Sequence, residues 1–187
     1  MDAESLALPL QTELLRIARV TLTDALLHGR VPPGRPHNET LLAPGAAFVT
    51  LHRNGTLRGC IGTVEAQKPL YLVIQEMAVA AATRDPRFES VTADELCDIE
   101  IEISVLSQPT AINGPDDLLI GRDGVMVVGR GKRGVLLPQV AVEHGWDAVA
   151  LLENTCGKAE LPPGAWRDSD VQCMAFSATI FAEKANS

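Results

Sequence analysis

The residue types best suited to chemistry in this chain meet in one hexapeptide, Leu57-Arg58-Gly59-Cys60-Ile61-Gly62. A thiol stands between two glycines, with an arginine two residues before it. A strand glycine has no side chain to pack, and it marks a bulge or a close approach by a ligand or another backbone. A reactive or ligand-binding cysteine needs room and a nearby cation, because a guanidinium favours the thiolate. The competing reading is that the glycines only allow tight packing and Cys60 is an inert, buried thiol.

A hairpin must position this thiol. Residues 46–53 and 56–64 read as strands around Asn54-Gly55, the strongest short hairpin signal. A two-residue loop pairs Arg53 with Thr56, which sets His52 opposite Leu57 and Cys60 opposite Val49. That parity puts Arg58 beside Cys60 and places His52 on the other face with Leu57, Gly59 and Ile61. A Cys60–His52 dyad would then require a bulge at Gly59 to invert the order. A second polar set comes from residues 98–107, where Ile99, Ile101, Ile103 and Val105 alternate with Glu100, Glu102 and Ser104. One face of this strand is core. The other is either a solvated face or the lining of the Cys60 site, with Glu102 acting as a base or pairing Arg58.

The remaining elements follow from periodicity and caps. Residues 10–28 have helical spacing, Gly29 suits the C′ position, and Pro32-Pro33 block continuation into a loop over 29–44. Pro69 opens a second helix that ends before Asp85-Pro86, where Asp85 and Arg87 shape a turn. Thr92 and Glu95 fit a capping box. Asp123-Gly124 is expected to turn into a strand over 125–128. The run Gly129-x-Gly131-x-x-Gly134 matches a dinucleotide fingerprint in letters only. Val135-Leu136-Leu137-Pro138 follows it as a strand, whereas the fingerprint needs a helix N-terminus there, so a hairpin turn is expected. Pro138 starts a helical stretch closed by Gly145, Asp147 N-caps a helix to about Asn154, and residues 171–181 alternate with Met174, Phe176 and Ile180 as the apolar set. Lys158 falls near Cys156 at a helix end. Hairpin-joined strands with helices between groups make an α+β fold of antiparallel sheets with flanking helices.

Composition bounds the partners. The 187 residues are 46% hydrophobic and 21% charged, with a net charge of −8, which suits a folded globule and disfavours a nucleic-acid partner. The local exception is the basic turn of Arg130, Lys132 and Arg133. No run approaches the ~18 apolar residues of a membrane span, and Met1-Asp2-Ala3-Glu4 does not open a secretory signal. Cys60, Cys97, Cys156 and Cys173 form no Cys-x-x-Cys pair, so neither a metal knuckle nor a disulfide scaffold is expected, and a cytoplasmic protein is. His28, His37 and His144 lack ligand spacing.

The hexapeptide is followed, in order, by Asp85-Pro86-Arg87-Phe88, Ile101-Glu102-Ile103-Ser104-Val105-Leu106, Leu136-Leu137-Pro138-Gln139-Val140-Ala141, Gly145-Trp146-Asp147 and Cys156-Gly157-Lys158-Ala159. From about residue 10 to 181 the chain resembles the AMMECR-type domain, the A component of the AmmeMemoRadiSam set. The resemblance implies one domain over 10–182, flanked by a flexible segment (1–9) and a tail (183–187). It also implies two subdomains, a larger one built from both chain ends and a smaller one inserted, with the Cys60 motif in a cleft between them. The catalytic candidates are then Cys60, Arg58 and Glu102, and the cleft residues are Leu57, Gly59, Ile61, Gly62, Asp85, Arg87, Ser104 and Lys158. Memo-like and radical-SAM proteins are the implied partners, with a small molecule as a further ligand and no cofactor identified. The chain lacks a Cys-x-x-x-Cys-x-x-Cys cluster site, so radical chemistry would come from a partner. Two functions remain open: an enzyme or cofactor-handling protein using Cys60, or a non-catalytic module that docks those partners. Glu160 replaces a glycine usual in the family, which predicts a differently built turn after Lys158.

Overall fold

The computed structural model describes residues 6–183 and has an α+β fold. Most of the expected N-terminal segment and tail lie outside these residues. The described residues divide into two units: 6–106 with 179–183, and 107–178.

In the first unit, α1 (Leu8–His28) begins two residues earlier than its periodicity predicts, because Pro9 sits in the first turn, where its missing N–H costs nothing. It ends at Gly29, whose φ of 65° lets the Gly29 and Arg30 amides bond the last carbonyls. The loop beyond holds a single turn, α2 (Glu39–Leu42), capped by Asn38. Strands β1 (Pro44–Arg53) and β2 (Thr56–Pro69) form the expected hairpin, with Asn54 and Gly55 at φ 51° and 73°, a type I′ turn. β2 runs five residues past its expected end, into α3 (Leu70–Thr83). β3 (Ile99–Leu106) pairs with the other side of β1, giving the run β2-β1-β3 in which β2 is an edge strand. Val49, Leu51, Ile101 and Ile103 are fully buried on one face, in one cluster with Leu14, Ala18 and Leu22 of α1 and Ile74 and Ala78 of α3. Each of the Val, Leu and Ile side chains contributes on the order of 1.5–3 kcal/mol. The other face of these strands carries the polar residues.

In the second unit, β4 (Thr110–Ile112) and β5 (Asp123–Gly129) both pair with β7 (Val171–Ala182), and β5 pairs with β6 (Lys132–Leu136). Asp123 and Gly124 are not a turn: they already pair with Ser177 and Phe176 as the start of β5. The glycine-rich run is the β5–β6 hairpin, with Arg130 and Gly131 at φ 54° and 71°. A Cβ on Gly134 would come within 2.4 Å of the Thr155 carbonyl oxygen, so this glycine seats helix α5 (Ala148–Lys158) on β6. α4 (Pro138–His144) closes at Gly145, and Asp147 Oδ1 accepts from the Ala150 amide at 2.8 Å to cap α5. α5 runs four residues past its expected end. The apolar side of β7 also differs from the alternation: Cys173 and Ala175 join the core while Ile180 is 45% exposed.

Candidate functional site

The register of the β1–β2 hairpin slips by one residue, and this sets the chemistry. His52 lies opposite Leu57 as expected, but Leu51 lies opposite Gly59, so Arg58 is an extra residue and Cys60 lies opposite Thr50 rather than Val49. A one-residue bulge inverts every side chain beyond it. Cys60 therefore shares a face with Thr50 and His52 and with the polar side of β3. The rows across β2, β1 and β3 read Cys60–Thr50–Glu102, Leu57–His52–Glu100 and Gly62–Phe48–Ser104. Thr50 Oγ1 lies 3.2 Å from Cys60 Sγ and is the thiol's hydrogen-bond neighbour; His52 stands one row away. Glu102 is two strands from Cys60, about 10 Å at standard spacing. Ser104 is buried beside Phe48.

Both glycines of the motif answer to packing within the chain. A Cβ on Gly59 would sit 2.1 Å from the Ala81 carbonyl oxygen, so the last turn of α3 rests directly on the strand. A Cβ on Gly62 would sit 2.2 Å from the Phe48 ring and 2.7 Å from the Ala47 carbonyl oxygen. Ile61, on the far face, packs against the core and does not line the Cys60 side.

As an edge strand, β2 turns the Cys60 amide outward, where it would lack a partner. Asp85, just past α3, supplies one: its Oδ2 accepts from Cys60 N at 2.9 Å. The same carboxylate accepts from Arg87, through Nη2 to Oδ2 at 2.7 Å and Nε to Oδ1 at 3.0 Å, and from the Arg87 amide at 3.1 Å. The Asp85 side chain is 2% exposed, and the Arg87 hydrogen bonds, with the Cys60 and Arg87 amides, hold its carboxyl well below the usual range against the opposing cost of burial. Arg87 is pushed up in turn, chiefly by Asp85, with charge at Cys60 contributing. Its guanidinium lies 5.5 Å from the centre of the Phe88 ring. The cation near Cys60 is thus Arg87.

Arg58 is turned to other work. Its Nε and Nη2 donate to Glu95 at 2.9 and 3.0 Å, and Nη1 donates to the Glu89 carbonyl at 2.8 Å, so it pairs with Glu95 and not with Glu102. Arg53 Nη1 reaches the same carboxylate at 3.0 Å. Hydrogen bonds from Arg58 and the Thr92 amide pull the Glu95 carboxyl down to about 2. This cluster locks the segment after α3 along the β2 edge and so helps hold Asp85 at Cys60. Glu95 was legible only as a capping residue, and Thr50 carried no signal beyond strand propensity.

Lys158 belongs to the second unit, exposed at the end of α5. Its neighbour Cys156 is fully buried there, and burial pushes the Cys156 thiol up and that of Cys173 up to about 11. Cys97 is exposed and Cys60 half-buried, and all four thiols are free. Among the described residues no group of three or more His, Cys, Asp or Glu side chains is placed to hold a metal ion, and no helix is long and apolar enough to cross a membrane. Arg130 of the basic turn is paired with Asp168 and Asp170, and Lys132 with Glu160.

The class these features define is an α+β domain whose edge strand carries a cysteine with its main-chain amide held by an aspartate–arginine pair. The AMMECR1 family model matches residues 15–181, and the chain belongs to that family. A protein of Methanothermobacter thermautotrophicus is 42% identical over 179 residues, covering 91% of this chain and 92% of its own. One from Pyrococcus furiosus is 40% identical over 182 residues, covering 91% and 87%. The crystal structure of an uncharacterized protein from Pyrococcus horikoshii superposes with a TM-score of 0.80 at 38% identity, covering 92% of this chain and 90% of that one.

Proposed function

We propose that this AMMECR1-family domain presents Cys60 as a thiol-centred site that handles a small ligand in concert with Memo-like and radical-SAM partner proteins. The observation that carries the reading is the shared Asp85 oxygen, which binds both the Cys60 amide and the Arg87 guanidinium. The buried carboxylate satisfies the edge amide and, beyond that need, fixes a cation at the same residue as a half-buried thiol. Thr50 adds a hydroxyl at the sulfur, and Glu102 ends the same row with a carboxylate. Cys60 and Arg87 are the residues that would meet a ligand; Asp85, Arg58 and Glu95 position them. The neutralised basic turn and the net charge of −8 support a reading without nucleic acid, and four free thiols suit a reducing, cytoplasmic setting.

The test is co-purification of the wild-type chain and Cys60→Ala with a Memo-like and a radical-SAM protein from the same cell, followed by an assay of the assembled set. Binding retained with joint activity lost supports the thiol site. Loss of binding in Cys60→Ala makes the motif a docking surface for a non-catalytic module. Full joint activity of Cys60→Ala overturns the reading.

A further inference from the structure

Arg87 is tethered on one edge only. Nε and Nη2 are held by Asp85, while Nη1 has no partner among the described residues and the side chain is 55% exposed. The buried carboxylate fixes the plane of the guanidinium and leaves its outer edge directed away from Asp85. Its position relative to the Cys60 main chain is set through a single atom, because Asp85 Oδ2 accepts from both Arg87 Nη2 and Cys60 N. The Phe88 ring beside it adds an apolar surface. A guanidinium with a free edge is a fork that matches the geometry of carboxylate and phosphate oxygens. Resting on the thiol-site reading above, we propose that the ligand handled at Cys60 is anionic, and that Arg87 Nη1 and the free hydrogen of Nη2 hold its carboxylate or phosphate group beside the sulfur. Glu102, across Thr50 on the same face, repels a second negative group from the far end of the row. The favoured ligand therefore carries its charge at the Arg87 end and a neutral or cationic part toward β3.

Two alkylating reagents of nearly equal size read this directly: iodoacetate, which carries a carboxylate, and iodoacetamide, which does not. The full-length chain with Cys97→Ser is labelled briefly in its native state, and the rate at Cys60 is followed by mass mapping. The iodoacetate-to-iodoacetamide rate ratio at native Cys60 is expected to exceed that of the urea-unfolded chain by about two- to fivefold, the range of a partly solvated charge contact. Arg87→Gln should return the ratio to the unfolded value while Cys60 stays reactive to iodoacetamide, and Arg87→Lys should keep part of the increase. Inorganic phosphate should slow labelling of the Arg87 chain by either reagent and leave Arg87→Gln unaffected. A native ratio equal to or below the unfolded one overturns the anion inference and leaves the thiol site standing. A Cys60 that resists both reagents overturns the thiol site itself, and the anion inference with it.

Discussion

Gly59→Ala adds one methyl group and is expected to cost as much as many large-to-small core substitutions. The new Cβ would lie 2.1 Å from the Ala81 carbonyl oxygen and 3.1 Å from its carbon. Ordinary carbon–oxygen contacts close at about 3.3 Å, so strand and helix must part by more than an ångström. Neither side yields easily. The Ala81 oxygen is backbone in the last turn of α3, a turn tied down by Arg84 N to Ala80 O and by Val91 N to Ala82 O, each at 2.7 Å. On the other side, Gly59 is paired with Leu51, which is fully buried. Overpacking costs typically 1–3 kcal/mol, and a clash between two backbones belongs at the upper end, about 3 kcal/mol. For a domain of this size each kcal/mol lowers Tm by roughly 2–4 °C, so a fall of about 6–12 °C is expected.

Differential scanning calorimetry with urea titration measures this cost against two controls. Gly34→Ala, with nothing within 4 Å of its Cβ, should stay within about 0.5 kcal/mol of wild type. Cys60→Ser, nearly isosteric, should lose less than about 1.5 kcal/mol. Because Asp85 lies two residues past the end of α3, separating α3 from β2 should also pull its carboxylate off the Cys60 amide, and that amide should exchange with solvent faster. If Gly59→Ala matched Gly34→Ala in stability, the close approach of α3 to β2 would be refuted.

Three further outcomes are expected. Glu160 holds a φ of 54° without being glycine, so Glu160→Gly should relieve about 1 kcal/mol of strain and raise Tm by a few degrees, despite losing an exposed contact to Lys132. The Glu95 carboxyl sits at about 2 when folded against an ordinary 4.5; its contribution is complete above the ordinary value and is lost as pH falls toward 2, as is that of Asp85. Urea midpoints measured across this acid window should decline, and Glu95→Gln should be less stable near neutrality with a shallower decline. Burial keeps Cys156 and Cys173 protonated, so brief alkylation of the native chain should modify Cys97 and Cys60, with the other two labelled only in urea; native labelling of Cys173 would contradict its burial.

Local signals determined much of this protein, because each acts within a few residues of itself. Gly29 and Gly145 end their helices in left-handed turns, Asp147 caps the next helix, and Asn54-Gly55 closes a type I′ hairpin. The alternation over Ile99–Leu106 is the core-and-polar face of β3, and together these make the α+β class legible without coordinates. Glu160 shows the same locality in reverse: the turn after α5 keeps the left-handed backbone a glycine would adopt, although the residue itself predicts otherwise.

The partners of Cys60 were decided by tertiary structure alone. With a side-chain period of two, one extra residue exchanges the faces of a strand. The bulge falls at Arg58, next to the glycine on which the end of α3 rests, a contact between residues 59 and 81 that no local pattern encodes. That slip turned Cys60 toward Thr50 and the Glu102 face. The edge position of β2 left the Cys60 amide to be met by Asp85 and so tied Arg87 to the Cys60 main chain, while Arg58, two residues away in sequence, was taken by Glu95. Which cation serves a thiol depends on the carboxylates that reach each guanidinium first, and those arrive from segments distant along the chain.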